Sequence, residues 1–278
     1  MWKTVQQLGR CAIVLVVLVG DLATAAHADQ VFDLQPNTHW QAELRAKSAE
    51  LLAQREAEAR KANAFGCERY CAMLNETFAR LLRVATYQVP ASAGHEWQLV
   101  ITRMPGDEAW ALPDGHIFIS EDFVRRDKLN ADEVAFVLAH EISHVVLAHE
   151  ADMVDIVRRL VPFGVTASVN DVYATLDFDM GLLLRIAPLM SDMELEADRM
   201  GLMLAALAGV DPDRANGFLR QLAARPQHAS FAATHPEDQR RLVAAEQFLP
   251  IARRLYARHE ILGPRVGNQV SVLRNDSR

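Results

Sequence analysis

The chain has 278 residues, 50% of them apolar and 23% charged, a balance that can bury a full core and excludes an intrinsically disordered protein. At this length one main domain is expected, with room for a helical extension. The formal charge of −7 at pH 7 argues against nucleic acid as a partner, because phosphate backbones select basic surfaces.

Residues 1–28 read as a secretory signal peptide. Lys3 and Arg10 give a basic start, Cys11 to Gly20 is apolar, and Ala26-His27-Ala28 fits the small-x-small cleavage pattern. The apolar stretch falls well short of the roughly 20 residues that cross a bilayer, so cleavage before Asp29 is expected rather than an uncleaved anchor. The mature chain is therefore expected in the periplasm or outside the cell, where disulfides persist. Cys67 and Cys71 form an even pair there. A local disulfide and two half-buried thiols are equal readings, and without a CxxC or CxxCH there is no redox or haem signature.

Residues 29–66 are expected to form an N-terminal helical extension. Trp40 to Ala64 is rich in Ala, Glu, Arg, Lys and Leu without Pro or Gly, which predicts a long solvated helix ended at Gly66. Residues 67–260 are read as the main domain and 261–278 as a polar tail. Within the domain, Leu74, Phe78, Leu81 and Leu82 recur at helical spacing from Cys71 to Val84. The period then changes. Trp97 to Thr102, Trp110 to Leu112 and His116 to Ile119 predict strands, the last two joined by the turn Pro113-Asp114-Gly115, and imply a small antiparallel sheet.

Asn130 with Glu133 predicts an N-cap and its capping partner, opening a helix that carries His140 to His149. Ser191 with Glu194 reads as a second capping box, opening a helix that Gly209 ends. Asp211-Pro212 starts another helix, which Pro226 closes. Thr234-His235-Pro236-Glu237 opens the last, running to about His259. The apolar segments Ile156 to Val169 and Met180 to Met190 contain Arg158, Arg159, Arg185 and prolines. Core packing is expected of them, with peripheral membrane contact as the alternative.

The chemistry lies in His140-Glu141-Ile142-Ser143-His144, an HExxH on a helix. Residues i and i+4 share one face, so both imidazoles can reach a single Zn2+, with Glu141 as general base. A hydrolytic zinc site needs a third protein ligand and a position for water. A metzincin would require Gly and His where Leu147 and Glu150 stand, so that pattern fails. A gluzincin requires a Glu from a downstream helix, and Glu194 supplies it, with Asp198 one turn further along the same face. The competing roles are a cap for Glu194 and a surface charge for Asp198.

HEISHVVLAHE, the downstream ELEAD, the upstream ALPDGHIFIS and THPEDQRR near the end together resemble peptidase family M48, whose members include HtpX, BepA and the CAAX prenyl proteases. The resemblance runs over roughly residues 70 to 250. It implies an α+β, mostly helical, gluzincin-type metallopeptidase with a small sheet beside the HExxH helix. It also implies that Glu194 completes the zinc shell and that Asp198 supports a ligand histidine. Arg241 matches the family's arginine after the HP pair, where it would orient the site, with a surface helix charge as the alternative. His235 matches a histidine that can plug the water position; a transition-state donor and a cap neighbour are the other roles. Asp114 and Ser143 stand where the family pattern has Gly. His149 recurs in the pattern and is expected to support the fold rather than bind metal.

The expected function is a periplasmic or secreted zinc endopeptidase acting on unfolded or misfolded envelope proteins, which would lie extended along the Trp110 to Ile119 strand edge. A chaperone-like binding module with a structural or latent zinc is the competing class. An intracellular prenyl-protein protease is disfavoured by the signal peptide. The polar tail is too short for a 34-residue TPR repeat, so partner recruitment is expected elsewhere.

Overall fold

The computed structural model describes residues 31–32, 34–224 and 238–262. The signal-like segment, His235 and the tail beyond Leu262 lie outside the described residues. Helix α1 (Gln41–Lys61) is followed by α2 (Cys71–Gln88) and a short 3-10 turn, Pro90–Gly94. Strands β1 (Gln98–Thr102), β2 (Ala109–Ala111) and β3 (His116–Ser120) precede α3 (Glu121–Arg126) and α4 (Ala131–Val146). Then come α5 (His149–Leu160), α6 (Val169–Phe178), α7 (Met180–Leu207), α8 (Pro212–Ala215), α9 (Gly217–Ala223), α10 (Asp238–Tyr256) and α11 (His259–Leu262).

The sheet corrects one expectation. Its order is β1-β3-β2, with β2 antiparallel to β3 but β1 parallel to it. The Pro113-Asp114-Gly115 turn makes the local hairpin. Strand β3, buried at all five residues, then slots between β2 and β1, so β1 pairs with a non-consecutive strand running its own way. Strand β2 is left as an edge. Gly115, at φ 110°, holds the turn tight: an added Cβ would lie 3.0 Å from the His95 side chain and 3.3 Å from backbone.

The main core wraps α4, which packs on α2 and α7, while α10 also packs on α7. Phe78, Phe123, Phe136 and Phe218 are fully buried there. A second cluster holds Leu44 of α1 together with Val154, Val157, Val172, Leu182 and Ile186, so the inward faces of the two apolar segments are core. Their outward faces expose Phe163, Met180 and Leu184, and Phe178 between them is exposed as well. Among the described residues no helix is long and apolar enough to cross a membrane.

Two helix boundaries also differ from expectation. Helix α4 stops at Val146, and Ala148, in the left-handed region at φ 57°, turns the chain so that His149 opens α5. Ser191 lies inside α7 rather than at its start. Leu182 and Ile186 anchor the preceding turns in the second core, and Pro188 is exposed. Proline has no N–H to give to the Leu184 carbonyl one turn back, and because Leu184 is exposed as well the helix tolerates the loss at a solvent-facing position. Cys67 and Cys71 are bonded, Cα atoms 5.6 Å apart. The loop they close is tied down by Glu121, which accepts backbone N–H groups of Glu68, Arg69 and Tyr70.

Candidate metal centre

Helix α4 begins with the predicted capping box. The Asn130 side chain accepts from the N–H groups of Asp132 and Glu133, and Glu133 reaches back to the Asn130 N–H at 2.9 Å. One turn apart near its other end, His140 and His144 project to one face. Helix α7 crosses that face with Glu194, Asp198 and Gly201 at positions i, i+4 and i+7. Gly201 permits the approach: a Cβ there would lie 3.0 Å from the His140 nitrogen and 3.2 Å from its Cα.

The result is a compact triangle. The Nε2 atoms of His140 and His144 are 3.0 Å apart, His140 Nε2 is 3.3 Å from Glu194 Oε2, and His144 Nε2 is 3.4 Å from Glu194 Oε1. Zinc bonds of about 2.0–2.1 Å in a tetrahedron place neighbouring ligand atoms roughly 3.3 Å apart, so the three edges fit one face of such a site. Charge balance agrees. Glu141, Glu194 and Asp198 are all buried and Arg241 is fully enclosed; with the carboxyls ionised, a dication offsets their excess over the arginine. The donor set of two imidazoles and one carboxylate suits zinc.

Each histidine has its own backing. His140 Nδ1 lies 3.0 Å from Asp198 Oδ1. A carboxylate only accepts, so Nδ1 carries the proton and Nε2 keeps its lone pair for a metal. Asp198 is gripped by both Nε and Nη2 of Arg241 at 2.7 Å, and Arg241 Nη1 lies 3.3 Å from Glu194. Burial opposes ionisation of Asp198, but Arg241 and His140 outweigh it and hold its pKa at about 2. Burial likewise opposes a charged His140, but Asp198 and Glu194 raise its pKa to about 9 in the metal-free chain. His144 goes the other way: burial, helped by His140 and His149 and only partly opposed by Glu194, lowers it to about 3.

The backing of His144 is His149. Their Nδ1 atoms are 2.9 Å apart, and His149 Nε2 lies 3.5 Å from Glu196 Oε2. For His144 Nε2 to bind metal, its Nδ1 donates to His149, whose Nε2–H then faces Glu196. The turn at Ala148 creates this contact, and a single helix from His140 to His149 would not. The residue expected only to support the fold thus touches a candidate ligand.

The structure therefore brings together His140, Glu141, His144, Glu194, Asp198 and Arg241; His235 lies outside the described residues. Ser191, no longer a cap, accepts from Arg240 Nη1 at 3.0 Å, so Glu194 has no capping task. Ser143 is buried with its hydroxyl donating to Ala139 O at 2.7 Å, which accommodates it in place of Gly. Asp114 turns inward, its Oδ1 3.0 Å from His116 Nδ1 and 3.3 Å from the His116 N. Beside the triangle lies a cleft of about 460 Å³, lined by Glu141, His144, Glu194 and the β2 edge from Trp110 to Asp114. Sequence reasoning missed Gly201, although its spacing from Glu194 and Asp198 marks the same helical face. It also missed Asn37 to Arg45, which reach the cleft through tertiary packing alone.

Comparison with known proteins agrees with this geometry. Residues 71–248 match Peptidase family M48. Mitochondrial metalloendopeptidase OMA1 of Schizosaccharomyces pombe is 35% identical, over 57% of this chain and 48% of its own length. Metalloendopeptidase OMA1, mitochondrial, of Homo sapiens is 27% identical over 66% of this chain and 40% of its own. Beta-barrel assembly-enhancing protease of Yersinia pestis is 34% identical over 48% of this chain and 30% of its own. The chain thus matches less than half the length of each of these relatives. A profile match that spans most of the chain, centred on the His140–His144–Glu194 triangle, shows that the chain belongs to Peptidase family M48.

Proposed function

We propose that the chain is a zinc metalloendopeptidase. The observation that carries this reading is the triangle of His140, His144 and Glu194 with Glu141 at the edge of a cleft that also presents a strand edge. Zinc, held by those three residues, would supply a Lewis acid that polarises the scissile carbonyl and brings the pKa of water toward 7. Glu141 takes the proton from the attacking water and passes it to the leaving amine. The outer edge of β2 pairs with an extended substrate through its backbone and so tolerates varied sequences. Asp198, Arg241 and His149 fix the ligand side chains, so little reorganisation is needed when substrate arrives. For His235, outside the described residues, the proposed roles are a plug of the water position or a transition-state donor: His235→Ala should raise proteolysis in the first case and lower it in the second.

The proposed substrates are unfolded or misfolded envelope proteins, and the proposed location is the periplasm. The signal-like residues 1–28 support this, as does similarity to a relative named for β-barrel assembly; the OMA1 relatives carry mitochondrial names instead. Mass spectrometry of the mature N-terminus checks the cleavage before Asp29. Peripheral membrane contact through Phe163, Phe178, Met180 and Leu184, which are 70%, 88%, 67% and 71% exposed, is part of the same proposal, and vesicle flotation reads it.

The direct test is Glu141→Gln. Cleavage of an unfolded substrate such as casein should fall by at least about a hundredfold, the scale of general-base catalysis, with zinc content unchanged. Equal cleavage by the variant would mean that Glu141 does not act in the cleavage and would remove the proposed reading of this site.

A further inference from the structure

The segment from Asn37 to Arg45 lies ahead of the residues that match the family, 71–248, yet it is built into the cleft. Asn37, His39, Gln41, Leu44 and Arg45 line the same cavity as Glu141, His144 and Glu194. Gln41, Leu44 and Arg45 are i, i+3 and i+4 on α1, so they present one face to it. The β2 edge from Trp110 to Asp114 supplies another wall of the same cavity.

This wall is clamped in place. Asp155, on α5, accepts from Asn37 Nδ2 at 2.9 Å and from Trp40 Nε1 at 2.8 Å, and lies 3.1 Å from His39 Nδ1. Asn37 Nδ2 also donates to Asp152 at 2.9 Å. The Arg158 guanidinium lies over the Trp40 ring at 4.1 Å, a stabilising cation–π contact. Glu43 accepts the Val169 N–H at 2.9 Å and so ties α1 to the start of α6. Contacts of this number fix the position of α1, and an exposed helix with only solvated charges would not need them.

Part of the lining beside the metal ligands is apolar. Leu44, Ala148, Met153, Met190 and Met193 pack in one cluster and also face the cavity. A polar or charged side chain packed against these five residues loses water and gains no hydrogen bond from their side chains, whereas an apolar one gains by burial. The methionines adapt to several apolar shapes.

We propose that Asn37 to Arg45 is a wall of the substrate cleft and that Leu44, with Met153, Met190 and Met193, makes a slot selecting an apolar side chain next to the scissile bond. The identity of what enters the cleft rests on the peptidase reading. The selection itself is a property of binding and is measurable without turnover.

The experiment pans a library of extended peptides on the full chain carrying Glu141→Gln, and reads residue enrichment at each position. An apolar residue should be enriched about tenfold over Asp at one position, the scale on which an apolar pocket discriminates. Adding Leu44→Lys should reverse the preference toward acidic residues at that position only. Adding Asn37→Ala, which loosens the clamp without touching the core, should reduce the enrichment about threefold or more. Circular dichroism checks that each variant is folded, and Asn37→Ala decides the matter if Leu44→Lys does not fold. Absence of a positional apolar preference, or a preference that both folded variants leave unchanged, overturns the proposal. Persistence of the panning pattern while the Glu141 chain cleaves nothing would fault the peptidase reading alone.

Discussion

His140 and His144 stand one turn apart on one helix, but their far nitrogens are held by opposite chemistry. His140 is backed by Asp198, itself locked by the buried Arg241, so its support is fully charged and enclosed. His144 is backed by a second imidazole, His149, and only beyond that by Glu196 near the surface. The first arm lets a metal-free site hold a proton on His140, whereas burial, with a smaller push from His140 and His149, keeps His144 neutral. One arm therefore governs charge balance in the core, and the other orients a ring beside the open cleft.

The sharpest way to break the contrast is to empty the ionic arm. Arg241→Met removes the buried cation that touches both Asp198 and Glu194 and should cost about 3–5 kcal/mol in urea unfolding of the metal-free chain. A loss no larger than that of a surface substitution would mean that the arm is not electrostatically closed. Next in size, Asp198→Asn should weaken zinc binding by about 100-fold in a chelator competition, at the upper end of the range for residues that orient a ligand. His149→Gln should weaken it by about 10-fold, at the lower end of the range for residues that orient a ligand. Equal losses from the two variants would erase the difference between the arms.

A smaller effect separates the histidines by pH. The raised pKa of His140, about 9, means that its contribution is complete below the unfolded value near 6.5 and is lost as pH rises through about 9. The lowered pKa of His144, about 3, costs stability as pH falls below about 6.5. Asp198, held at about 2, adds a loss as pH falls from about 4 toward 2. Thermal melts with chelator should therefore peak near pH 6.5 and decline on both sides. Zinc should flatten the alkaline decline, because metal then replaces the proton on His140. A chelated chain whose melting temperature rises steadily from pH 6.5 to 9 would contradict the assignment.

The helical face of the site was readable because its signals are local and periodic. HExxH, the Glu194–Asp198 spacing and the Asn130–Glu133 cap each depend on residues within a turn or two of one another. Ser191 misled for the same reason. A cap sequence before an acid looks alike at a helix start and within a helix, and only the second core, through Leu182 and Ile186, carries α7 past it. The parallel pairing of β1 with β3 and the bend at Ala148 are likewise set by packing between distant segments. The wall formed by Asn37 to Arg45 was the least legible part. Its helix was expected, but a charged solvated sequence gives no sign of the Asp155 clamp that lies more than a hundred residues away.

The most direct measurement is zinc stoichiometry by elemental analysis of the purified chain, beside Glu194→Ala and His144→Phe. The account predicts one zinc per chain, retained by Glu141→Gln and lost from both ligand variants. Retention of a full equivalent by either ligand variant would contradict it.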